Sequence, residues 1–144
     1  MIATVAVGTD GSGTAEKAVH SALEMAERFG ARIVFISAYS PVDEGRLKHE
    51  KRDAPEDIQW TINPEEDVDA TLRECERLAE ERGLRWASEA AQGDPADILV
   101  QLADRHDADV LVIGNRGMQR RVLGSVPNSV THKANCTVFL VKTT

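Results

Sequence analysis

The sequence predicts an α/β domain: a single doubly wound unit with a five-stranded, mainly parallel sheet and helices on both faces. Three observations predict it. Strand-length apolar runs alternate with segments of helical apolar spacing along the chain. The runs Ile33-Val-Phe-Ile36 and Val110-Leu-Val-Ile113 lack polar alternation, as strands covered from both sides should. Glycine-rich turns follow the first and fourth strands, and such sheets bind ligands beyond their carboxyl ends where the strand order reverses. At 144 residues with 42% hydrophobic composition, the chain can bury one core, so 1–144 is read as a single domain.

Residues 2–7 are apolar and rich in β-formers, and the turn Gly8-Thr-Asp-Gly-Ser-Gly13 closes this first strand. Over 14–29, Ala15, Ala18, Val19, Ala22, Leu23, Ala26 and Phe29 follow helical spacing; Ser12 or Thr14 can cap that helix and Gly30 can end it. A second strand covers 32–38. The stretch 39–64, with Pro41, Gly45, Pro55 and Pro64, breaks the pattern and is longer than most connections in a compact domain. It reads as a surface excursion anchored by Trp60, either a solvated loop or a lid over a ligand. A helix over 65–82 places Val68, Leu72, Cys75 and Ala79 on one face, with Gly83 as its stop. Residues 84–91 alternate as a strand nearer the sheet edge should. Asp94 suits a cap and Pro95 the first position of a helix running to about His106. A strand over 109–114, a helix over 126–133 and a strand over 137–141 complete the order.

Bulk chemistry removes several function classes. The net charge of −7 argues against nucleic acid as a partner. The longest apolar runs are strand-sized, so no helix spans a membrane, and no basic segment precedes the apolar N-terminal run. A cytoplasmic location is the expectation. Cys75 and Cys136 have no metal-ligand spacing and read as core thiols, and His20, His49, His106 and His132 are scattered. Charge is unevenly placed. Residues 110–144 hold Arg116, Arg120, Arg121, Lys133 and Lys142 and no Asp or Glu; this +5, set against the net −7, leaves −12 on residues 1–109.

That basic stretch contains Gly114-Asn-Arg-Gly117, then Arg120, Arg121 and Gly124-Ser125-Val126. A strand, glycines and a hydroxyl residue opening a helix present backbone N–H groups to phosphate, and the arginines add charged donors. The alternative is a tight turn with solvated arginines. Neither G-x4-G-K-[ST] nor G-x-G-x-x-G occurs, so the common nucleotide loops do not apply. Asp10, just past the first strand, is by itself more readily a turn former or cap partner than a ligand contact.

Taken together, Val7-Gly-Thr-Asp-Gly-Ser12, Gly93-Asp-Pro95, Asp109-Val-Leu-Val-Ile-Gly114 and Gly114-x2-Gly117…Gly124-Ser125-Val126 before a terminal strand resemble the universal stress protein family over essentially the whole chain. The resemblance implies an adenine nucleotide alpha hydrolase-like fold and an adenine nucleotide (ATP, AMP or cAMP, with or without Mg2+) as ligand. It implies that Gly114, Arg116, Gly117, Gly124, Ser125 and Val126 line a phosphate pocket, with Asn115, Arg120 and Arg121 in the same loop. Asp10, beside Thr9, would face the ribose, and the backbone near Ala38 the adenine. It also implies a homodimer through the C-terminal strand, 137–142.

One feature departs from the family pattern G-x2-G-x9-G-[ST]: six residues, not nine, separate Gly117 from Gly124. A shorter cradle favours one phosphate over three. Three functions follow as alternatives: a non-enzymatic nucleotide sensor or buffer in stress signalling, a slow ATPase, and a dimeric scaffold that binds no nucleotide. No histidine-oriented nucleophile or carboxylate pair supports the enzyme, so the first is preferred.

Overall fold

Five strands and four helices alternate along the residues that the computed structural model describes, which are 1–10, 13–39, 65–115 and 125–142. In chain order they are β1 (Thr4–Gly8), α1 (Gly13–Phe29), β2 (Arg32–Tyr39), α2 (Glu65–Glu81), β3 (Trp86–Gln92), α3 (Pro95–Arg105), β4 (Val110–Asn115), α4 (Ser125–Lys133) and β5 (Thr137–Lys142). The excursion at 40–64 with its Trp60 anchor and lid, and the glycine-loop residues 116–124, lie outside the described residues.

The strands form one sheet in the order β3-β2-β1-β4-β5, and every neighbouring pair is parallel. Alternation along each strand divides the core in two. Val5, Val7, Ile33, Phe35, Val110 and Val112 face α1 and α2. Ala6, Val34, Ile36, Leu111 and Ile113 face α3 and α4. Each inner strand therefore needs apolar residues at consecutive positions, which is why β1, β2 and β4 read as unbroken runs. The edge strands β3 and β5 are half-buried, and Trp86 and Phe139 are exposed on them.

Local chemistry fixes the helix ends. Gly30 and Gly83 take φ of 63° and 69°, the left-handed geometry that lets Ala31 N–H close on Ala26 O at 2.9 Å and Leu84 N–H on Ala79 O at 3.0 Å. Asp94 caps α3 by accepting from the Asp97 amide at 3.2 Å, with Pro95 at the first helical position.

At the amino end of the sheet, Asp109 Oδ2 accepts from the amides of Ala3 at 2.8 Å and Thr4 at 3.0 Å. Its own amide donates to Thr4 O at 2.9 Å, so one residue joins the starts of β1 and β4. The observed elements differ from the sequence reading by a residue or two at several ends. Tyr39 and Asn115 had been placed in connections and instead close β2 and β4, because each still pairs across the sheet, with Gln92 and Lys142. Among the described residues, no helix is long and apolar enough to cross a membrane.

Candidate functional site

The strand order reverses between β1 and β4: β2 and β3 lie on one side of β1, β4 and β5 on the other. The two glycine-rich segments picked out in the sequence leave these adjacent strands at their carboxyl ends, which is where doubly wound sheets hold ligands. Gly8 has a packing reason for lacking a side chain. A Cβ there would lie 3.1 and 3.2 Å from the Leu99 methyls and 3.3 Å from Ile113 Cγ2, so glycine lets α3 seat closely beneath the site.

Past Gly8 the chain stays bound to β2. Thr9 N–H donates to Ile36 O at 3.0 Å, and Ser37 Oγ donates to Thr9 O at 2.5 Å. Thr9 and Ser37 are each 1% exposed, and Asp10, the next residue, is half-buried. The direction of Ala38 follows from strand parity. Ile36 turns its carbonyl toward β1, whereas Ile33 N–H donates the other way, to Arg85 O beside β3. Peptide groups two residues apart on a strand point to the same side. The N–H and C=O of Ala38 therefore point toward the line of β1 beyond its last strand residue. Its side chain is buried among residues facing α3.

On the other side of the reversal, Gly114 and Asn115 pair with Val141 and Lys142 of β5, and Asn115 is wholly buried. α4 begins at Ser125, which is exposed, while Val126 and Val130 are buried against the α3 face. After α4, β5 starts opposite Val110 at the amino end of the sheet, so the N-terminus of α4 points to the carboxyl end. The partial positive charge of its first turn faces the same end as Asp10 and Ala38. The structure thus brings Thr9, Asp10, Ala38, Gly114, Asn115, Ser125 and Val126 to one end of the sheet. Arg116, Gly117, Arg120, Arg121 and Gly124 lie outside the described residues. Ser37 carried no motif; a lone hydroxyl closing the apolar run of β2 was the signal available.

Two clefts flank this end on the α1 and α2 side. One of about 570 Å³ opens between those helices from Thr9 past Glu16, His20 and Thr71 to Cys75. Burial pushes the Cys75 thiol up to about 12, helped by the neighbouring Glu74 and Glu76 carboxylates. The other, about 370 Å³, is lined by Tyr39, Glu65, Asp69, Glu76 and Glu89 with Arg73, a sign of charge that repels phosphate. Among the described residues, no group of three or more His, Cys, Asp or Glu could hold a metal ion.

Fold and site together define a doubly wound α/β domain with its candidate site at the β1–β4 reversal. The universal stress protein family model matches residues 1–142. Universal stress protein Rv1636 of Mycobacterium tuberculosis is 35% identical over 145 residues, spanning 98% of this chain and 97% of that protein. A universal stress protein solved in complex with cAMP superposes with a TM-score of 0.73 at 32% identity, covering 99% of both chains. A universal stress protein from Archaeoglobus fulgidus, at 23% identity and a TM-score of 0.72 over 99% of this chain and 95% of that one, shares the fold. The chain belongs to the universal stress protein family.

Proposed function

We propose that this protein binds an adenine nucleotide across the carboxyl ends of β2, β1 and β4 and serves as a nucleotide sensor or buffer in a cytoplasmic stress response. The observation that carries the reading is the convergence of both glycine-bearing segments on the strand reversal, with the Ala38 peptide turned into the same space. The cAMP complex of a relative 32% identical over 99% of this chain supports the ligand class. In this reading the Ala38 peptide meets the adenine edge, Asp10 the ribose hydroxyls, and the segment from Gly114 to Val126 the phosphate. Within that segment Arg116, Arg120 and Arg121 supply charge-assisted donors and Gly117 and Gly124 the close backbone approach.

Ligand binding acts by population shift: nucleotide favours one arrangement of the loop and so of a surface a partner reads. The chain is a binding module in this reading, not a hydrolase. Mass spectrometry of ligand released from protein purified without added nucleotide tests it, followed by calorimetric titration with ATP, AMP and cAMP. Micromolar binding of AMP or cAMP, tighter than ATP, is the expected result of the shortened loop. No heat with any of the three would sink the reading, and equal affinity for ATP and AMP would sink the one-phosphate preference. Turnover of ATP that Asp10→Ala removes without loss of binding would favour the slow ATPase.

The edge position of β5 favours a second, compatible property. Among the described residues β5 is an edge strand, and this apolar edge with Phe139 45% exposed invites a second copy of the chain. Light scattering should report a homodimer, and Phe139→Asp should shift it to monomer. Loss of the dimer with nucleotide binding retained would separate the scaffold from the sensor.

A further inference from the structure

We infer that Ser37 is a positioning residue for the nucleotide, its hydroxyl tying the ribose side of the crevice to the adenine side. The inference rests on the adenine-nucleotide reading above. Ser37 lies inside β2 between Ile36 and Ala38 at 1% exposure, where an alanine would suit the apolar surroundings and an unbonded hydroxyl would be costly. Its Oγ donates to Thr9 O at 2.5 Å. The register of β1 with β2 ends at Gly8 opposite Ile36, so this bond continues the seam one step past the paired strands. The Thr9 amide, held by Ile36 O at 3.0 Å, completes a clamp on either side of the Thr9 Cα.

Peptide planarity gives the clamp its consequence. The Thr9 carbonyl and the Asp10 amide share one plane, so fixing that oxygen fixes the direction in which the chain leaves for Asp10. On the other strand, the Ser37 carbonyl shares its plane with the Ala38 amide. One hydroxyl therefore sets the spacing and tilt between the residue proposed for ribose and the one proposed for adenine. Removing it leaves the Thr9 amide bond to Ile36 but frees the Thr9 carbonyl, so the ligand itself must fix the direction in which the chain leaves for Asp10, which lowers affinity without removing any ligand contact.

The test titrates AMP and cAMP into wild type, Ser37→Ala, Ser37→Thr and Leu84→Ala. Leu84 packs on the α1 and α2 side two residues before β3, at the amino end of the sheet and far from the crevice, and serves as a control for general destabilisation. Ser37→Ala is expected to raise Kd about tenfold, since one well-formed buried bond contributes about that much. It should also speed amide hydrogen exchange at Thr9 in the unliganded protein. Ser37→Thr, which keeps the hydroxyl, should restore both, and Leu84→Ala should change neither. Affinity of Ser37→Ala within about twofold of wild type overturns the inference, as does a Ser37→Thr protein as weak as Ser37→Ala or an equal loss in Leu84→Ala. Wild-type protein that binds neither nucleotide overturns the function reading itself, a different result from a wild type that binds and a Ser37→Ala that binds equally.

Discussion

One carboxylate oxygen decides where α3 begins. Asp94 Oδ2 accepts the Asp97 amide, and Asp94→Ala should lower the unfolding free energy by about 1 kcal/mol in a denaturant titration. Leu99→Ala, which empties a wholly buried position below Gly8, should cost several times more, about 2–5 kcal/mol. Cys75 makes a prediction of a different kind. With its thiol raised to about 12, it should resist iodoacetamide at pH 8 in the native protein and react only on unfolding. Residues at this scale differed in how much the sequence disclosed. Asp94-Pro95 was legible because cap chemistry is local, whereas Ser37 was not, because its partner lies 28 positions away, just past the end of β1.

Asp109 belongs to the scale of elements, because it fastens β4 to β1. Backbone donation from Ala3 and Thr4 holds its carboxyl below the ordinary aspartate value. The folded state thus prefers the ionised form, and the resulting stability is fully present above the unfolded pKa of about 3.9. It is lost as pH falls from there through the folded value. Asp109→Asn should therefore narrow its stability gap to wild type as pH drops below about 4; a gap unchanged between pH 7 and pH 3 would refute the assignment. The elements themselves were largely readable, since buried strands and amphipathic helices announce themselves by period. Their arrangement was less so. Nothing along the chain states that β1 lies between β2 and β4, because the pairing depends on which crossovers pack on which face. Yet that order is what puts the segments after β1 and β4 at the ends of adjacent strands and makes one candidate site of two separate glycine turns.

For the whole molecule, ligand and fold should be linked. A nucleotide present at about a hundred times its Kd stabilises the native state by about 2.7 kcal/mol, and for a chain this size the melting midpoint should rise by about 5–10 °C. Gly124→Val should lose that shift while melting near the wild-type midpoint without ligand. The charge division fits such a molecule: an acidic body keeps it apart from polyanions in general, while its only long stretch free of Asp and Glu, residues 110–144, carries +5. Composition disclosed that asymmetry, and the proposed phosphate site would give it a use.

The central place of β1 has a consequence for how the protein is made. β1 leaves the ribosome before the strands it pairs with; it can join β2 on one side almost at once, but its other side waits for β4, more than a hundred residues later in the sequence. Until then a nascent chain carries a fully apolar strand with one open flank, the kind of surface that chaperones hold and that aggregates when they do not. A stop codon before residue 110 would release a product with three of the four described helices and three of the five strands, yet with its middle strand as a sticky edge. The sheet is thus sealed only once β4 is made.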